Sequence, residues 1–115
     1  MTNPEPEQLL PLGVPVLHVL LALGHDRRHG YGIMLTIEEK SDGEATILPG
    51  TLYTTLSRMA KSGLIEEVDA SVDDPDYDRR RTYYRATDFG LDVLEAETRR
   101  LSTLVRIAEH QLGSR

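Results

Sequence analysis

Two of the four histidines, His25 and His29, bracket Asp26, Arg27 and Arg28, and imidazoles four residues apart hold a metal ion when both lie on one face of a helix. Gly24 and Gly30 flank this stretch and mark it as a turn, in which that spacing makes no shared face. His18 lies inside an apolar run, where a packed core histidine is expected, and His110 stands near the C-terminus with no ligand partner close in sequence. Cysteine is absent, so disulfides, thiolate catalysis and cysteine-ligated zinc or iron–sulfur sites are excluded by inventory. With no convergent acid, base and nucleophile, the sequence reads as that of a non-enzyme without metal or cofactor.

The chemistry these residues do support is recognition of anions. Residues 51–62 contain no Asp or Glu, although acids outnumber Lys and Arg nineteen to thirteen along the chain. Within that stretch Thr54, Ser57, Arg58 and Lys61 recur at helical spacing and fall on one side, with Thr51 and Tyr53 flanking near the start. Arginine suits a bidentate pair with guanine in the major groove, and lysine suits a phosphate. Thr51 reads either as a phosphate donor beside a helix N-terminus or as an ordinary cap. Tyr53 reads either as a ring against the sugar-phosphate edge or as a core residue, and Tyr31 either steadies a phosphate or packs inward.

A second basic cluster, Arg79, Arg80 and Arg81, would reach flanking backbone or the minor groove, with Asp76 and Asp78 placed to pair with it in the free protein. A net charge of −6 counts against an anionic partner, because Lys and Arg supply much of the affinity for nucleic acid. Seven of the nineteen acids (Glu66, Glu67, Asp69, Asp73, Asp74, Asp76 and Asp78) nevertheless lie within thirteen consecutive residues. Segregation of this kind leaves room for one basic surface on an acidic protein.

The elements that must position these groups follow from apolar spacing. Residues 1–13, with Pro4, Pro6, Pro11 and Gly13, read as a mobile arm. Residues 14–24 are apolar nearly all round, as in a central buried helix too short for a bilayer. A second helix is expected over 30–40, and a third opens at Pro49-Gly50, with Leu52, Leu56 and Met59 on one stripe and Gly63 closing it. Residues 64–68 and 82–86 read as a hairpin with a long acidic tip, and 46–48 as a candidate third strand.

Thr87 then caps a final helix in which Leu91, Leu94, Thr98, Leu101, Val105, Ala108 and Leu112 form a heptad seam. Leu104 and Ile107 widen that stripe beyond one packing contact. A second copy of the chain is therefore expected, with Leu17 and Leu20 of the first helix assigned to the same interface. No basic, apolar leader opens the sequence, so a soluble cytoplasmic protein is expected, with no membrane partner.

Three helices, a hairpin and a long helix make a mainly α fold with a small β wing, the order of a winged helix-turn-helix, whose third helix enters the major groove. The division expected is an arm over 1–13, a DNA-binding domain over 14–86 and a C-terminal dimerisation helix over 87–115. The motifs His29-Gly30-Tyr31, Pro49-Gly50-Thr51-Leu52-Tyr53, Ser62-Gly63-Leu64-Ile65 and Arg81-Thr82-Tyr83-Tyr84-Arg85-Ala86-Thr87 with Gly90 together resemble the PadR family of transcriptional regulators, in its short branch. That resemblance implies a homodimeric repressor that binds double-stranded DNA at a palindromic operator and is released by a small-molecule effector. The sequence departs from the family pattern at Thr54, where proline is frequent, and has no tryptophan for an aromatic drug-stacking pocket. A winged helix that binds protein and never meets DNA is the alternative, and the acidity of the chain favours it.

Overall fold

The computed structural model describes residues 4–69, 78 and 80–113. Val14–Leu23 (α1), Gly30–Lys40 (α2), Pro49–Lys61 (α3) and Asp88–Leu112 (α4) are helical. Arg28–His29 (β1), Ile65–Val68 (β2) and Tyr83–Ala86 (β3) form an antiparallel sheet in the order β1-β3-β2. This is the mainly α winged helix-turn-helix with a long C-terminal helix that the spacing predicts. The apolar stripe of α3, Leu52, Leu56 and Met59, closes over Val19, Leu20 and Leu23 of α1 and Ile33 and Ile37 of α2 in one core. Removal of these side chains from water supplies the main driving force for assembly.

Four expectations are corrected. The third strand is Arg28–His29, paired with Tyr84 and Tyr83, and not 46–48. The latter segment runs into the N-cap of α3, with Leu48 three-quarters exposed. The flank that looked like a plain turn is instead tied down, Arg28 donating to the Ala22 carbonyl at 2.9 Å and pairing with Asp26 at 3.1 Å.

Residues 4–13 are also no loose arm. A 3-10 turn at Pro6–Leu9 lies against α4, and Leu9, Leu10 and Leu12 pack on the core. Leu20 is fully buried within its own domain, which removes it from any interface between copies. Finally, the centre of the acidic tip (70–77) and Arg79 lie outside the described residues.

The start of α4 is fixed by a small set of contacts. Thr87 Oγ1 accepts from the Gly90 N–H at 3.0 Å and donates to the Gly63 carbonyl at 2.5 Å, while the Thr87 N–H donates to Leu64 O at 3.0 Å. A Cβ at Gly90 would overlap the Leu64 carbonyl oxygen, so no larger residue allows this approach. Beyond Glu97 the helix has no fully buried residue, and Leu104, Val105, Ile107 and Leu112 stand about half exposed.

Glu97 is the one carboxylate in the described core, its side chain 1% exposed. It accepts from Arg100 Nε at 2.5 Å and from the Leu12 N–H at 2.8 Å, which ties the N-terminal segment to α4. The Arg100 hydrogen bond holds its carboxyl below the ordinary carboxylate range, against the opposing effect of burial. A carboxyl lowered in the folded state contributes stability above its unfolded pKa and loses it as the pH falls through the folded value. Glu97→Gln is therefore expected to cost about 1–2 kcal/mol near neutral pH. Urea midpoints should show that difference shrinking as the pH falls through the lowered folded-state value, below which the parent carboxyl is protonated as well.

Candidate nucleic-acid interface

The outward side of α3 is built by what the inward side buries. Leu52, Thr55, Leu56 and Met59 face the core, and the Thr55 hydroxyl is satisfied by the Thr51 carbonyl at 2.7 Å. Thr51, Thr54, Ser57, Arg58 and Lys61 are consequently all exposed. Arg58 and Lys61 sit in the last turn, where the helix dipole favours cations, and neither is within ion-pair distance of a carboxylate among the described residues. The N-cap of α3 is Leu48, with no side-chain cap, and Pro49 follows it. Thr51 is thus not the cap, and its hydroxyl sits in a first turn whose unpaired N–H groups favour an anion.

A cleft of about 550 Å³ joins the starts of α2 and α3 to the start of β3, lined by His29, Gly30, Tyr31, Tyr53, Arg81, Thr82 and Tyr84. Tyr31 and Tyr53 are each about half exposed, so neither is a core residue. The Tyr53 ring lies across Gly30, where an added Cβ would come within 2.7 Å of its hydroxyl oxygen. The Arg81 guanidinium stands 5.6 Å from the Tyr31 ring centre, a cation–π contact. It also lies 3.1 Å from His29 Nδ1 and 3.6 Å from an Asp78 oxygen.

His29 Nδ1 accepts from the Gly32 N–H at 2.9 Å and so caps α2, with the Tyr83 ring edge-on at 5.3 Å. Burial first, and then the Glu67 carboxylate, push the Tyr84 phenol up, so it stays a proton donor at neutral pH. Arg80 pairs with Asp78 at 3.2 Å and is otherwise open to solvent.

The structure therefore brings Tyr31, Tyr53 and Arg81 into one cleft beside the open side of α3. Sequence reasoning missed His29, Thr82 and Tyr84 as parts of it. Each lay in a motif already visible in the sequence, His29 before Gly30-Tyr31 and Thr82 and Tyr84 after Arg81. The residues expected at a dimer interface divide into two groups. Leu17, Leu91, Leu94 and Leu101 are half-buried, with Leu91 and Leu94 packed on their own core, whereas Leu104, Val105, Ala108 and Leu112 face solvent.

The family described as "Transcriptional regulator PadR-like family" matches residues 16–96. Transcriptional regulator Rv3488 of Mycobacterium tuberculosis is 34% identical over 90 residues, covering 78% of each chain. A PadR-like transcriptional regulator from Bacillus cereus superposes with a TM-score of 0.69 at 27% identity, over 91% of this chain and 96% of that one. Bacillus subtilis PadR, solved in complex with operator DNA, superposes with a TM-score of 0.60 at 20% identity, over 75% of this chain and 47% of that one.

The Gly30–Tyr53 contact makes a prediction independent of any ligand. Gly30→Ala should cost about 1–3 kcal/mol in the parent, because the new methyl must displace the tyrosine ring, and nearly nothing in a Tyr53→Ala background. Urea denaturation of the two single variants and the double variant measures this coupling, and an equal loss in both backgrounds would show that the ring lies elsewhere.

Proposed function

The chain belongs to the PadR-like family of transcriptional regulators, and from that membership we propose that it is a sequence-specific DNA-binding homodimer, a cytoplasmic repressor released from a palindromic operator by a small-molecule effector. The observation that carries the DNA-binding reading is the side of α3 holding Thr54, Ser57, Arg58 and Lys61, exposed and without an acid, in a protein of net charge −6. The complex of Bacillus subtilis PadR with operator DNA supports it by relationship. In this reading residues 14–86 are the DNA-binding unit and 87–115 the dimerisation helix. Arg58 pairs with a base edge and Lys61 with phosphate, while Thr54 and Ser57 touch bases or backbone. Thr51, Tyr53 and Tyr31 hold phosphate and sugar beside the N-terminal ends of α3 and α2, and Arg79, Arg80 and Arg81 bring the wing to the flanking backbone.

The half-exposed Leu104, Val105, Ile107 and Leu112 support pairing through α4, together with Ala108, Leu101 and the half-buried Leu17, Leu91 and Leu94. Such a stripe is costly to leave in water and suits a helix from a second copy. Release by an effector follows from the family resemblance. Among the described residues no helix is long and apolar enough to cross a membrane.

Selection of bound duplexes from a random pool would supply the operator. On it, Arg58→Ala is expected to cost about 1–3 kcal/mol and to relax sequence preference at one position of each half-site, whereas Lys61→Ala should weaken all duplexes evenly and reduce the salt slope by about one. Absence of any salt-dependent affinity for duplex would overturn the reading in favour of a protein-binding module. The pairing has its own test in sedimentation equilibrium. Leu104→Glu combined with Ile107→Glu should give a folded monomer, and an unchanged mass would contradict the assigned seam.

A further inference from the structure

The Asp78 carboxylate stands directly against the arginines of the wing. Its Oδ1 accepts from both the backbone N–H and Nε of Arg80, at 3.0 and 3.2 Å, and its Oδ2 lies 3.3 Å from Arg80 Nη2. Two parallel N–H bonds from one guanidinium to one carboxylate copy the geometry by which arginine grips a phosphate. The same Oδ2 stands 3.6 Å from Arg81 Nε. Asp78 is held on its other side, its backbone N–H donating to the Tyr83 hydroxyl at 2.9 Å and its carbonyl accepting from the Arg81 N–H at 3.0 Å.

The two partners differ in freedom. The Asp78 side chain is 27% exposed, whereas that of Arg80 is 87% exposed. The backbone of Asp78 is fixed by Tyr83 and Arg81, so its carboxylate stays beside the wing arginines, and a phosphate arriving there must compete with it for Arg80. Arg81 is less affected, since His29 and the Tyr31 ring also hold it.

We propose that Asp78 acts as an internal stand-in for phosphate, which occupies Arg80 in the free protein and holds down the sequence-independent part of its affinity for DNA. The proposal rests on the DNA-binding reading above. It gives one residue a distinct task, which is to keep an arginine of the wing from adhering to any duplex, so that the α3 face decides where the protein stays. Arg80 held by a neighbouring carboxylate adds less than a full cation to the charge that a duplex meets.

Asp78→Asn tests this cleanly, because the amide oxygen still accepts the Arg80 N–H and keeps the turn while the charge is removed. The probe is a duplex of arbitrary sequence, titrated by fluorescence anisotropy between about 50 and about 200 mM salt. The variant is expected to bind about two- to fivefold more tightly at the lower salt, the range set by breaking one exposed ion pair. Its slope of log affinity against log salt should steepen by about one. In Asp78→Asn combined with Arg80→Ala the gain should vanish.

Binding by Asp78→Asn equal to or weaker than the parent would overturn the proposal. So would a gain that survives loss of Arg80, since the carboxylate would then act only as a repelling charge. A parent that binds no duplex at low salt would sink the DNA-binding reading itself, a result separate from these.

Discussion

The meeting of α4's first turn with the turn that ends α3 is the constraint from which the rest of the geometry follows. One hydroxyl, that of Thr87, accepts from the Gly90 N–H and donates to the Gly63 carbonyl. Gly63 itself adopts a left-handed φ of 78°, which lets the chain leave α3 and enter β2 without a clash. The Leu64 carbonyl takes the Thr87 N–H, and only a glycine at 90 lets the helix come this close. The end of the candidate recognition helix, the start of β2, the end of β3 and the start of α4 thus converge on a few atoms. The exposed face of α3 and the protruding half of α4 are fixed relative to each other. In a dimer joined through α4, that rigidity would set the separation of two α3 helices, and hence the spacing of half-sites on a duplex.

Charge is distributed on the same plan. Most arginines with a carboxylate nearby use it: Arg28 with Asp26, Arg85 with Glu66 across the sheet, Arg99 with Glu95 and Arg100 with Glu97. Arg58 and Lys61 have none within reach among the described residues. An overall excess of acid is therefore compatible with one open basic face, because solvent ions screen charges more than about 8–10 Å apart. The wing stands between these cases, its Arg80 engaged but easily freed.

Much of this was legible in the sequence, for identifiable reasons. The stripe Leu52, Leu56, Met59 has the helical period and one polar side, so both the core and the open face of α3 could be read from it. The hairpin was readable from its β-branched and aromatic runs, and its register places Glu66 opposite Arg85 as an ion pair. The buried place of Leu20 was not readable, because a helix apolar on every side points in no one direction. Nor was β1, a two-residue strand whose pairing depends entirely on a partner more than fifty residues away. The packing of residues 4–13 was hidden because Leu9, Leu10 and Leu12 are too few to show a period, and their anchor is the distant Glu97. In the cleft, Tyr53 could be placed near the start of α3 but its contact with Gly30 could not, since contacts between elements leave no mark in local spacing.

The central claim is that a duplex meets the acid-free side of α3 and the cleft beside it, while the outer half of α4 serves the pairing of two chains. Backbone amide chemical shifts followed during titration with operator duplex address it most directly. The account predicts changes concentrated on residues 51–61 and on the cleft residues Tyr31 and Arg81 to Tyr84, with 103–112 nearly unmoved. Shifts confined to α1 or the outer half of α4, with α3 silent, would contradict it.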